Sequence, residues 1–313
     1  MTSAQVGGRG TGEGRPPSRW MDPLPLGDGR MPHVTDAMLD PPALTRAQLR
    51  AAAAAAGPVV VPVPEMHKQP LVTIAVIALA ALLTICAFAG PLFVAVAAAL
   101  AAGVMAWGWS GLLGLPSPRG TAFVLSVGSV AAIGTALATR QDPLLVWMPA
   151  ALAGAIIVAF LHQLARRDGR PRLVESIASN ITALAIVVSG ACFVVLPRTS
   201  HGAWVIALAA AGMAVSALTD LVGDMPRLRI WLMPLAMLAG GVAAIAIAAT
   251  SGDVTWGPAA LLGLLAAGVS HAIRRVLAML PAISSSRSQL VSAGASVLTV
   301  GVVVYVVGRL FVS

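Results

Sequence analysis

Asp220 and Asp224 stand four residues apart at the end of an apolar run, so a helix there projects both carboxylates the same way. Carboxylates so placed can hold Mg²⁺, which takes oxygen ligands and usually shares them with a substrate phosphate. Ser216 precedes them on the same face. A later run closes with Ser270, His271, Arg274 and Arg275. Two guanidinium groups can clamp a phosphate through paired N–H bonds. A third polar group, Glu175, Ser176, Ser179 and Asn180, opens another run, with Glu175 facing Ser179 and Ser176 facing Asn180 by i,i+4 spacing. Together these residues suit the handling of an anionic, phosphate-bearing ligand at a membrane surface. The competing reading is that they are solvated span ends or local pairs; Asp224 lies three residues from Arg227. His271 by itself reads as a helix-end polar residue. No residue is assigned a catalytic role.

The elements that must position these groups are membrane helices. The chain of 313 residues is 58% hydrophobic and only 10% charged, where a soluble domain carries about a quarter charged residues. Apolar stretches of spanning length fall at roughly 71–89, 91–108, 121–139, 143–163, 174–196, 203–222, 230–250, 256–279 and 289–311. Unbroken apolar runs exclude a closed barrel, and unpaired backbone in hydrocarbon excludes anything but helices. The fold class is therefore all-α, a polytopic transmembrane bundle of about nine spans. Only Gly90-Pro91 separates the first two, which form either a broken helix or a tight hairpin.

Residues 1–67 form a disordered tail rich in Gly, Pro and Arg, and 68–313 form the membrane domain. Thr45 and Gln48 have capping-box spacing, which predicts a short helix near 46–56 ended by Gly57-Pro58. The formal charge is +8, and most of the excess lies in the membrane loops. Such loops set topology and suit anionic lipids, while no basic soluble domain is present for nucleic acid. With the tail in the cytoplasm, the inside loops carry Arg119, Arg166, Arg167, Arg170, Arg172, Arg227, Arg229, Arg274, Arg275 and Arg287. The outside carries Arg140, Arg198 and Arg309. This bias predicts the N-terminus inside and the C-terminus outside a bacterial cytoplasmic membrane. The single lysine among many arginines suits a GC-rich genome. Trp107, Trp109, Trp147, Trp204, Trp231 and Trp256 fall near span ends, where indoles sit well at head-group depth.

Gly294, Gly301 and Gly308 recur every seven residues along the last span and share one face, where backbones can approach closely. That face suits packing within the chain, or a homo-oligomer or partner membrane protein. Cys86 and Cys192 lie inside apolar runs and read as small buried residues. No ionisable residue stands at the middle of a span, which weighs against a proton- or ion-coupled carrier.

The layout resembles the phosphatidate cytidylyltransferases, the CDP-diacylglycerol synthases. The stretch from His201-Gly202-Ala203-Trp204 to Leu218-Thr219-Asp220 is similar to their span leading to Ser-Asp-Thr-Gly-Ala-Tyr, and Leu261–Arg275 is similar to a span ending in Lys-Arg. The resemblance implies a cytoplasmic carboxylate site using Mg²⁺, with Asp220 as the matching aspartate. Thr219 stands where the family has Ser, Leu221-Val222-Gly223 replaces Gly-Ala-Tyr, and Pro281-Ala282-Ile283-Ser284 stands where the family's signature would fall. These departures argue against the same reaction. Three readings follow. The first is a protein handling a lipid or lipid-linked phosphate at the cytoplasmic face, with Asp220, Asp224, Arg274, Arg275, Glu175 and Asn180 as ligand residues and Asp220 and Asp224 as the Mg²⁺ pair. The second is a permease for a small solute, and the third a non-catalytic scaffold using the tail and last span. Whether the chain is an enzyme stays open at this level.

Overall fold

The computed structural model describes Thr45 and residues 69–167, 171–222, 230–252 and 254–312. The tail helix expected near 46–56, and Arg170, Asp224, Arg227 and Arg229, lie outside the described residues. The chain divides into Met1–Pro62 and Val63–Ser313, and all the described helices belong to the second unit. They are α1 (Pro70–Ala89), α2 (Pro91–Leu112), α3 (Pro118–Ala138), α4 (Met148–Ala165), α5 (Leu173–Val195), α6 (Gly202–Thr219), α7 (Leu232–Ser251), α8 (Trp256–Leu277), α9 (Ser286–Leu298) and α10 (Gly301–Phe311). Among the described residues, nine segments are long and apolar enough to cross a membrane, α9 and α10 together making the last. The protein is a multi-pass membrane protein.

Local chemistry explains the starts. Proline occupies the first turn of α1, α2, α3 and α4, where its missing N–H has no helical partner to lose. Gly90 adopts φ 118° and returns its N–H to the Cys86 carbonyl, a conformation that L side chains rarely take. Pro91 then opens α2 at once, so the first two spans are separate helices that pack on each other.

Helices α2–α5 pack as one group, and α6–α8 as another with α1 against α6. The last span lies between them: α9 touches α1, α2, α5 and α8, and α10 touches α5, α6 and α8. Phe193, Ile206, Met213, Leu262 and Leu298 are buried in the core, while Ile74, Ile85, Phe123, Val130 and Leu238 point outward. Apolar side chains on both the inside and the outside are what a bundle solvated by hydrocarbon needs. The starts of α1, α3, α5 and α9 and the ends of α2, α4, α6 and α8 share one end of the bundle, the arginine-rich end.

Several expectations need correction. The fourth span begins at Met148 rather than 143, because 143–147 turn, with Val146 N–H donating to the Pro143 carbonyl. Trp109 does not face head groups. It is buried, and its indole N–H donates to Ser179 Oγ at 2.9 Å, which lets α2 run on to Leu112. The last span is not one continuous helix. Ser189 of α5 accepts from Val302 N–H at 3.0 Å and donates to the Thr299 carbonyl at 2.7 Å, so its hydroxyl replaces a rung of the helical ladder. Ser189→Ala leaves both groups without that partner and is expected to cost about 1 kcal/mol. Thermal denaturation in mild detergent measures it, and an unchanged Tm would show that the hydroxyl is dispensable. At the opposite end, Arg198 donates to the carbonyls of Ala136, Leu137 and Thr139 at 2.7–2.9 Å and closes the end of α3.

Candidate functional site at the arginine-rich end

Asp220 follows the last turn of α6 and begins a short 3₁₀ turn, Asp220–Val222. Its carboxylate meets α8. Arg274 Nε donates to Oδ2 at 2.6 Å, and His271 Nδ1 lies 2.7 Å from Oδ1. The second approach is close but out of line with the ring N–H, so it acts as a short polar contact rather than an aligned hydrogen bond. Arg274 also donates to Ser270 Oγ at 2.6 Å and to Ser216 Oγ at 3.1 Å. The i,i+4 spacing of Ser270 with Arg274 and of Ser216 with Asp220 puts the four groups on two facing helix ends. Arg274 is 4% exposed and the Asp220 side chain 24%, so the pair seals the core on one side and reaches the surface on the other. Thr73 of α1 completes the corner by donating to the Ala217 carbonyl at 3.2 Å.

Burial alone would raise the Asp220 carboxyl. The His271 contact and the Arg274 charge outweigh it and hold the group below the usual carboxylate range. A carboxyl whose folded pKa is depressed stabilises the fold at pH above its unfolded value, and that stabilisation is lost as pH falls through the folded value. The pair is therefore expected to hold from neutrality to about pH 4 and to weaken below that. A Tm-against-pH series measures this, and Asp220→Asn should lack the acid limb that the parent shows.

An open cleft of about 50 Å³ lies against this cluster, lined by Gln69, Val72 and Thr73 of the α1 start and by Asp220, Leu221, Arg274, Arg275 and Ala278. Among the described lining residues, one carboxylate stands with two guanidinium groups. Further along the same α1–α6 seam runs an apolar groove of about 370 Å³, lined by residues such as Ile77, Ala81 and Ile85 of α1 and Ala207, Ala210 and Ala214 of α6.

The structure thus brings together Asp220, Arg274 and Arg275, and it separates Glu175 and Asn180 from them. Glu175 is half exposed and pairs with Arg172 at 2.5 Å, a local i,i+3 contact. Arg172 also donates to the Gly114 carbonyl at 2.6 Å, tying the start of α5 to the end of α2 rather than to α6 or α8. Asn180, on α5, is fully buried. Of the expected Mg²⁺ pair, Asp224 lies outside the described residues, and Asp220 has the Arg274 guanidinium at Oδ2 and the His271 imidazole beside Oδ1. Among the described residues, no group of three His, Cys, Asp or Glu side chains converges. Gln69 and Thr73 were missed by the sequence reading. Their i,i+4 spacing at the head of the first span was the available signal.

Gly294, Gly301 and Gly308 are turned toward helices of the same chain. Gly294 faces the Ala101 carbonyl, Gly301 sits against the Ser189 carbonyl, and Gly308 faces Val205. Comparison of the chain with family models, with curated proteins and with solved structures returns no match.

Proposed function

We propose that this membrane protein binds a lipid with an anionic, phosphate-bearing head group at the cytoplasmic face. The observation that supports it is the shared α1–α6 seam, which carries a polar, arginine-bearing cleft at its end and an apolar groove along its length. A head group at Arg275 and an acyl chain beside Ile77, Ala81 and Ala210 would satisfy both chemistries at once. The cytoplasmic assignment draws on the arginine bias between the two ends. Cytidylyl transfer is not part of this reading. Asp220 is engaged by Arg274 and His271, and the residues after it depart from the cytidylyltransferase pattern. The scaffold reading loses the glycine face, which is turned inward. No observed feature favours the permease.

Native mass spectrometry of the full chain, with phosphatidic acid, phosphatidylglycerol and phosphatidylcholine offered together, tests the proposal. Anionic lipids should be retained over phosphatidylcholine. Arg275→Gln should weaken that retention about tenfold, the loss of one charge-assisted contact. Ala210→Phe, which fills the groove, should lower retention of all three. Equal retention of charged and zwitterionic lipids, unaffected by either substitution, would overturn the reading.

A further inference from the structure

We infer that the α2–α5 group encloses a hydrated polar pocket, separate from the Asp220 cleft, in the half of the bundle nearer the arginine-rich end. Ser110 of α2, Gln163 of α4 and Ser176 and Asn180 of α5 are each at most 2% exposed. Ser110 Oγ, Gln163 Nε2, Ser176 Oγ and both amide atoms of Asn180 have no hydrogen-bond partner within the protein.

Helix register puts these atoms at one level of the α2–α5 group. Leu184 of α5 and Ala155 of α4 both pack against Gly128 of α3. Stepping toward the arginine-rich end, the α5 row runs Leu184, Asn180, Ser176, and the facing α4 row runs Ala155, Ala159, Gln163. Asn180 thus lies one turn below that contact, and Ser176 and Gln163 lie two turns below it. On α2, Ser110 continues the row of Ala99, Ala102, Gly103 and Ala106 that faces α3. Its neighbour Trp109 is bonded to Ser179, which sets α2 at the same level. Lower still, Arg166 donates to Gln163 Oε1 at 2.9 Å, leaving that amide only its N–H groups to offer the pocket.

The donor set selects the occupant. The Asn180 carbonyl needs a donor, the Gln163 amide needs an acceptor, and each serine hydroxyl can give or take. An anion cannot serve the Asn180 carbonyl, and Arg166 beside Gln163 disfavours a cation. Water serves all of them, and a buried water typically makes about three hydrogen bonds. Left dry in a membrane interior, five unpaired polar atoms would each carry an uncompensated desolvation cost.

Radiolytic hydroxyl-radical footprinting of the full chain in detergent tests this, because water held inside a protein labels side chains that bulk solvent does not reach. Trp109 and Leu184 flank the pocket, and Phe193 and Met213 are equally buried references elsewhere in the core. After correction for intrinsic reactivity, Trp109 and Leu184 should be modified several-fold faster than the references. Equal rates would overturn the proposal. In Asn180→Leu combined with Ser176→Ala, the excess labelling of Leu184 should disappear; its persistence in a folded variant would also overturn it. The comparison within the parent protein stands if that variant does not fold.

Discussion

Arg274→Leu is expected to destabilise the bundle by about 3 kcal/mol, the lower end of the cost of breaking a buried ion pair. The lower end applies because the Asp220 side chain keeps 24% of its surface exposed, so water can recover part of the lost pairing. Three acceptors lose their donor at once: Asp220 Oδ2, Ser270 Oγ and Ser216 Oγ. The substitution therefore unfastens the end of α6 from the end of α8. Asp220→Asn should cost a comparable amount: the amide still accepts from the guanidinium, but the Arg274 charge, 4% exposed, loses its counter-charge. Combining Arg274→Leu with Asp220→Leu should recover part of the loss, because the unpaired buried charge is then gone. Thermal unfolding of the parent, Arg274→Leu, Asp220→Leu and their combination in one detergent gives the coupling. Additive losses would mean that the pair contributes no interaction of its own.

Gly263→Leu is expected to be at least as damaging. A side chain at Gly263 of α8 would run into the Gly240 carbonyl and Ala244 of α7. A β carbon at Gly212 of α6 would in turn meet the Gly263 carbonyl at 2.6 Å. Three helices thus approach backbone to backbone at three glycines, and backbone cannot step aside as a flexible side chain can. Overpacking a tight contact costs about 1–3 kcal/mol, and here the obstacle on α7 is partly the Gly240 backbone rather than a movable side chain. Even Gly263→Ala should lower Tm clearly. Gly103→Ala is the matched comparison: nothing lies within 4 Å of the added carbon, and the better helix former should leave stability equal or higher by up to about 1 kcal/mol. Similar effects at Gly263 and Gly103 would remove close backbone approach as the explanation.

These two predictions also mark what was legible in the chain. The seven-residue spacing of Gly294, Gly301 and Gly308 was visible as a face, and the structure uses that face inside the chain. Gly212, Gly240 and Gly263 lie on three different helices and share no period, so their meeting could not be read from spacing. The Asp220–Arg274 group had a partial signal. Ser216 with Asp220, and Ser270 with Arg274, were each a four-residue pair, but which helix end faces which is a matter of bundle order. For the same reason Glu175 and Asn180, at the same end of the bundle, were grouped with Asp220 although α5 does not carry them to it.

The sequence by itself determined the class of molecule: a series of helices set by apolar length, interrupted by Gly and Pro, with arginines biased to one end. Those properties are local, because hydrocarbon solvates each span separately and a charge near a span end marks that end without reference to any other helix. Only the tertiary structure decided that α1 closes on α6 to make a seam with a polar mouth. It likewise decided that Ser189 enters the last helix, and that buried polar atoms collect among α2–α5. Those outcomes depend on which faces pack together, and an Ala-, Val- and Gly-rich span offers nearly the same apolar surface in every direction.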